Sequence, residues 1–422
     1  MARGDEAALP HDVVERVLSQ LDREALARDC LAYVSVPSET GREREGAEFL
    51  ADAMRAQGWQ VELDEAARDR PNVLVRLPGA GGGGEGGEGG DASGRCLLVN
   101  GHVDTIPIGK SWPARRDERW IWGRGAEDMK GGLVAMVHAA RAIERAGVKL
   151  RGDLWLSGVV GHETPGGKKE GPQRLMGRIR NAEAGASGVL TPDAILITEG
   201  PCAIWRASLG SAIFHLTLRD SRAPVHTLRV PYAQNPVRGL RNALEELDRL
   251  SAELATRPVR SLAGADQLNV GMVVAGDYPN RLPIEARITG TRRWGPGQSA
   301  SSVREELGEL AERAARASGM STLSGEARLE AAREPFETPT DDPLVAALRW
   351  SGGRVSGAAP EEIGLALVGD ASLYANELGL PCAYYGPGYE TAHSDAERVS
   401  IDRLLHIAQV YALTMMSYCG IG

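Results

Sequence analysis

The chain has 422 residues, with 48 lysines and arginines against 57 aspartates and glutamates, a formal charge of −9 at pH 7. This acidic balance argues against a nucleic-acid polyanion as partner, and the length leaves room for two domains, each with its own core. No apolar run approaches a membrane span, and the leading residues MARGDEAALPHD carry no apolar signal core, so no membrane partner is expected and a cytoplasmic location is. Cys30, Cys96, Cys202, Cys382 and Cys419 are scattered and odd in number, unlike a disulfide framework or a zinc-finger spacing.

In chain order, residues 12–34 predict one helix, with Val13, Val14, Val17, Leu18 and Leu21 on its apolar face. After a turn at 35–41, a second amphipathic helix is expected over 42–57, stopped by Gly58. Strands are expected at 60–63 and 72–77. The glycine-rich run 78–94 lacks a G-K-[ST] ending and leads into a strand, so it reads as a surface loop and not as a phosphate cradle. Gly109-Lys110-Ser111 is no P-loop, because Asp104 stands where the first glycine must be. Gly123-Arg124-Gly125 is no dinucleotide fingerprint, because Asp128 stands where the third glycine must be.

The chemistry gathers where predicted strands stop. The apolar run Cys96 to Asn100 ends in Gly101-His102-Val103-Asp104, and Asp128 precedes a helix expected at 129–147. A strand at 153–160 runs into Gly161-His162-Glu163-Thr164-Pro165-Gly166-Gly167, and after a helix at 172–182 a strand at 194–198 runs into Glu199. The pattern changes near Ala207, with strands at 209–219, 268–275 and 284–292 and helices at 236–255 and 300–317. Site-like residues return at Gly369-Asp370-Ala371, Gly386-Pro387-Gly388 and the run from Thr391 through His393 to Glu397, among helices at 341–351, 371–378 and 401–417 and a strand at 381–385. In an open α/β sheet, ligands collect at the carboxyl ends of strands. Imidazole and carboxylate together suit borderline divalent metals. His11, His138, His215 and His406 have no such motif context and read as ordinary polar residues.

The runs NGHVDTIP, from Asn100, and GRGAEDMKGG, from Gly123, resemble the dinuclear zinc amidohydrolase and exopeptidase family. That family includes acetylornithine deacetylase, succinyl-diaminopimelate desuccinylase, glutamate carboxypeptidases and aminoacylases. The resemblance implies an α/β catalytic domain of zinc-exopeptidase type, a mixed sheet flanked by helices, over 1–206 and 323–422. It implies an inserted α+β lid and dimerisation domain over 207–322. By the same resemblance, Asp128 would bridge two divalent metal ions, Zn2+ before Co2+ or Mn2+. His102 and Glu199 would hold the first ion, Glu163 and His393 the second. Asp104 would hydrogen-bond the far nitrogen of His102. In the lid, His226 would cross a homodimer and serve the partner's site as an oxyanion donor. Asn280 and Arg293 would contact substrate, Arg293 by a bidentate fork on a carboxylate, with its neighbour Arg292 as the alternative; Gly388 is also expected at the substrate. The implied reaction is cleavage of an amide bond in an N-acyl amino acid or small peptide, by attack of a metal-bridging water.

One departure stands out. The family carries Glu-Glu, base then ligand, where this chain has His162-Glu163-Thr164. One register makes His162 the general base and Glu163 the ligand. The other makes Glu163 the base and Thr164 the ligand, and a hydroxyl is a poor substitute for an anionic ligand. The first is preferred, because a loop absorbs an inserted residue more easily than a strand does. H-E-x-x-H is excluded, since position 166 is Gly. With the base altered, a binding protein or another acyl transfer is the alternative function.

Overall fold

The structure, a computed structural model, describes residues 9–80, 94–163 and 168–422. Most of the glycine-rich run, and Thr164 with its rival register, therefore lie outside the described residues. The chain divides into two compact units: Met1–Arg206 with Thr338–Ile363 and Leu373–Gly422, and Ala207–Glu337 with Gly364–Ser372.

The first unit is built on a mixed sheet. Its strands run in the order Val61–Ala67, Arg70–Leu77, Leu154–Val159, Leu97–His102, Ala194–Ile197, Cys382–Tyr384, Ile204–Ser208. The four strands from Leu154–Val159 to Cys382–Tyr384 are mutually parallel. Every residue of these four is buried. That is why they read as continuous apolar runs and not as alternating ones: parallel strands are covered on both faces. Their parallel direction also puts all four carboxyl ends on one edge. His102 pairs with Val159, and Asn100 with Ile197, so the segments after these strands emerge side by side.

Helix Gly131–Arg145 packs on strand Leu97–His102 and on helix Ile401–Cys419. The approach is close: a Cβ on Gly132 would stand 1.9 Å from the Thr198 carbonyl oxygen. The glycines ending GRGAEDMKGG therefore let the helix start against the strand that delivers Glu199. The helix expected over 12–34 is in fact two, His11–Leu18 and Arg23–Val34. Asp22 makes the break, its side chain capping the second helix by accepting from the N–H groups of Glu24 and Ala25. An N-cap of this kind competes with helix continuation.

The second unit is a four-stranded antiparallel sheet, ordered Gln267–Ala275, Glu285–Trp294, Gly210–Asp220, Leu323–Arg333, with helices Val237–Thr256 and Ala300–Ala317. Phe214, Leu216, Ile288, Leu247, Leu307 and Leu310 are among its core. Its last strand was not anticipated. Leu323–Arg333 pairs with Gly210–Asp220, which carries the unit to Glu337 and not to 322. That strand reads LSGEARLEAAR and alternates, with Leu323, Ala327 and Leu329 on the side that packs on the core.

Among the described residues, no helix is long and apolar enough to cross a membrane.

Candidate metal centre

Five of the anticipated residues meet at the carboxyl edge of the parallel strands. His102 ends its strand, Glu163 follows Leu154–Val159, Glu199 follows Ala194–Ile197, and His393 follows Cys382–Tyr384. Asp128 arrives from the turn before helix Gly131–Arg145. Its Oδ1 lies 3.1 Å from His102 Nε2 and its Oδ2 3.2 Å from His393 Nε2. His393 Nε2 also lies 3.0 Å from Glu163 Oε1. One carboxylate thus stands between two imidazoles, with a second carboxylate on the His393 side.

Donor atoms of His102, Asp128 and Glu163 fall within 4.8 Å of one another, and so do those of His102, His162 and Glu199. The groups are buried, Asp128 to 4 % exposure and Glu199 to 5 %. Their electrostatics are one-sided. Burial opposes a charge on His102, yet Asp128, Asp104 and Glu163 hold its pKa well above the ordinary value. Asp128 and Glu163 push His393 up to about 10. Burial would lift Asp128, but hydrogen bonds from His102 and His393 hold it well below the usual carboxylate range. Carboxylates here outweigh the protein's own cations, so the cluster draws in positive charge. The donor set, imidazole nitrogen and carboxylate oxygen at a buried strand edge, is able to hold metal ions.

Asp104 acts differently from expectation. The His102 Nδ1 partner is the Asp104 main-chain carbonyl, at 2.8 Å, while the carboxylate is 3.8 Å away. A carbonyl only accepts, so Nδ1 carries hydrogen, which in a neutral ring leaves the Nε2 lone pair on the Asp128 side, free for a metal ion. The Asp104 carboxylate instead accepts from the His162 N–H at 3.0 Å, the Glu163 N–H at 2.9 Å and Thr40 Oγ1 at 2.8 Å. The His162 ring lies flat on His102, with centroids 4.1 Å apart and planes 6° apart.

Gly388 follows strand Cys382–Tyr384. It bridges to Gly200, and a Cβ on it would meet Glu127 Oε1 at 2.5 Å, Glu390 Oε2 at 2.6 Å and Arg403 Nη1 at 2.8 Å. Its glycine identity serves the packing of those side chains.

His226, Asn280 and Arg293 belong to the second unit. His226 and Asn280 lie on neighbouring segments: the Thr227 N–H donates to the Asn280 carbonyl at 3.0 Å, and His226 bridges to Arg281. His226 Nδ1 accepts the Leu228 N–H at 3.2 Å, which places the hydrogen of a neutral ring on Nε2. The two arginines separate. Arg292 is fully buried, 3.2 Å from Glu306 and 3.5 Å from Asp266, and is internal structure. Arg293 donates to the Ala366 carbonyl, and no carboxylate pairs with it among the described residues. Burial alone moves its pKa, downward.

Sequence reasoning missed the groups that hold this edge together. Glu397 is 1 % exposed and accepts from Arg124 Nη1 at 2.6 Å and from the Glu127 and Asp128 N–H groups at 3.1 Å each. Glu127 accepts from the Thr391 N–H at 2.6 Å and from Thr391 Oγ1 at 2.8 Å. Burial raises Glu127 to about 7 against those donors. Burial also raises the Tyr389 phenol, with the carboxylates of Asp128, Glu199, Glu163 and Glu127 adding to it. Each of these residues reads in the sequence as a charged or polar loop residue. Only its burial sets it apart.

Known proteins similar to this chain match it over nearly its whole length. The chain is 24 % identical over 424 residues to N-formyl-4-amino-5-aminomethyl-2-methylpyrimidine deformylase of Bacillus subtilis (strain 168), covering 94 % of each chain. It is 24 % identical over 410 residues to succinyl-diaminopimelate desuccinylase of Methylobacterium radiotolerans, covering 93 % of this chain and 96 % of that one. Its fold is similar to that of aminopeptidase PepT from Bacillus cereus, with a TM-score of 0.76 at 18 % identity, over 95 % of this chain and all of that one. The family model described as peptidase family M20/M25/M40 matches residues 98–417, most of the chain, and the protein belongs to that family.

Proposed function

We propose that the chain is a metal-dependent hydrolase that cleaves the amide bond of an N-acyl amino acid or small peptide. The observation that carries this reading is the Asp128 carboxylate set between His102 and His393, with Glu163 and Glu199 beside them. His102 and Glu199 would hold one divalent cation, Glu163 and His393 the other, with Asp128 shared; zinc suits these donors best. When bound, the ions supply Lewis-acid polarisation of the scissile carbonyl. The relatives support an acyl amide as substrate, since one is named for removing a formyl group and another for removing a succinyl group.

His162 takes a proton from the attacking water and passes it to the leaving amine. Asp104 holds the main chain of His162 and Glu163, so base and ligand are positioned by one carboxylate. Arg293 takes the substrate carboxylate, a role supported by its half-burial without a carboxylate partner among the described residues. His226 is donated by a second copy of the chain and gives its Nε2–H to the developing oxyanion. A homodimer is supported by the edge strand Gln267–Ala275, where Met272, Val273 and Val274 are 61, 45 and 56 % exposed. A second reading is favoured by one observation: a His162 donor atom lies within 4.8 Å of those of His102 and Glu199, so His162 could be a ligand of that cation.

The test is turnover of a panel of N-formyl, N-acetyl and N-succinyl amino acids and dipeptides, with divalent metal content measured on the same preparation. Cleavage of at least one amide, lost on chelation and restored by zinc, is expected. Two bound ions with no amide cleaved would favour a binding protein or another acyl transfer.

A further inference from the structure

Two buried carboxylates, Glu127 and Glu397, are exchanged between the loop that carries Asp128 and the loop that carries His393. The Glu127 side chain crosses to the second loop and accepts twice from Thr391, through the N–H at 2.6 Å and Oγ1 at 2.8 Å. The Glu397 side chain crosses back and accepts the main-chain N–H groups of Glu127 and Asp128, each at 3.1 Å. Each end is secured further. Arg124 Nη1 donates to Glu397 at 2.6 Å and Arg124 Nε to the Pro107 carbonyl at 3.2 Å. Thr391 Oγ1 accepts the Arg398 N–H at 3.1 Å, closing the second loop on itself. Glu390, beside Glu127, is held by Arg403 Nη1 at 2.8 Å.

The two sides of the metal centre are supported unequally. His102 lies within the sheet ladder, paired with Val159, and Glu199 directly follows a buried strand. His393 has no ladder. It sits in a loop at φ 64°, with its side chain 46 % exposed. Its distance to Asp128 is therefore set by whatever ties the two loops together.

We propose that Glu127, Thr391 and Glu397 form a reciprocal clamp that presets the Asp128–His393 spacing, and so tunes the affinity of the His393-side cation site without setting that of the His102 side. These are positioning residues: they act through Asp128 and His393. The inference rests on the two-cation reading above. Residues that orient metal ligands typically change metal affinity by about 10- to 100-fold when removed. The effect expected here is of that size at one site only.

The test is titration of metal-free protein with Co2+, followed by its visible absorption and by chelator competition, with thermal unfolding alongside. Wild type should take up two equivalents. Glu127→Ala and Thr391→Val should bind one equivalent as wild type does and the second about 10- to 100-fold more weakly. Glu127→Gln keeps an acceptor oxygen and Thr391→Ser keeps the hydroxyl, so each should restore most of the loss. Glu397→Ala should resemble Glu127→Ala. Equal weakening of both steps, no change in either, or no rescue by the conservative variants would overturn the clamp. Wild-type protein that takes up fewer than two equivalents would overturn the two-cation reading itself, and this inference with it. The wild-type curve and the variant curves thus report the two failures separately.

Discussion

Asp104 holds Glu163 in place through the main chain: its Oδ2 accepts the Glu163 N–H at 2.9 Å, while Oδ1 accepts the His162 N–H at 3.0 Å. Both residues follow strand Leu154–Val159, and Asp104 follows the neighbouring strand Leu97–His102. Two donors need two acceptor oxygens, and an amide offers only one. Asp104→Asn should turn one of these contacts into an N–H facing an N–H. The expected result is a fall of about 10- to 100-fold in metal affinity or turnover, the range for groups that orient ligands. Chelator competition and steady-state kinetics on the same protein would check it; unchanged values for both would refute it.

His162 and Glu163 should separate by phenotype. Removal of a general base typically costs about 10²- to 10⁴-fold in rate. His162→Ala should lower kcat by that order and leave metal content intact, whereas Glu163→Ala should lower metal content itself. The reverse pattern would give Glu163 the base role. Metal loss in both variants would support the ligand role for His162.

His226 and the exposed strand Gln267–Ala275 make a linked prediction. The protein should sediment as a dimer. His226→Ala should lower kcat by about 10²- to 10³-fold, as loss of an oxyanion donor does, without changing the dimer. Met272→Asp, in the exposed edge strand, should weaken the dimer and lower activity with it. A fully active monomer would refute both halves.

His138 predicts an acid limit on stability that is independent of the metal centre. It is 2 % exposed, 2.9 Å from Asp29, with Arg141 2.7 Å from its other nitrogen. Burial first, and Arg141 second, lower its pKa from 6.5 to about 4. The folded value lies below the unfolded one, so between these values the unfolded chain binds the proton and the folded chain does not. Stability should therefore be unaffected by this group above pH 6.5 and fall as pH drops towards 4, by on the order of 3 kcal/mol across the window. His138→Gln should flatten that fall in urea unfolding measured at several pH values. An unchanged slope would refute the assignment.

The sequence by itself carried the buried parallel strands and the order of the centre's polar residues along the chain. Buried parallel strands leave continuous apolar runs, and His102, Glu163 and Glu199 stand where those runs end, while Asp128 precedes a helix and His393 lies in a later loop. It also carried the family, through NGHVDTIP and GRGAEDMKGG. What it could not carry was pairing between residues remote in the chain. The strand Leu323–Arg333 alternates apolar and polar residues, but only the fold pairs it with Gly210–Asp220. Arg292 and Arg293 are adjacent and alike in sequence, and only alternation across a folded sheet sends one into the core with Glu306 and leaves the other half-buried. Asp104 was expected to face His102 because the two lie close in sequence; the tertiary fold instead brought it two N–H groups from the next strand's loop. Glu127 and Glu397 look like solvated charges until the fold buries them, and a carboxylate so buried must find donors. Donors some 270 residues apart, such as Arg124 Nη1 on Glu397 and the Thr391 N–H on Glu127, are brought together only by closure of the sheet edge.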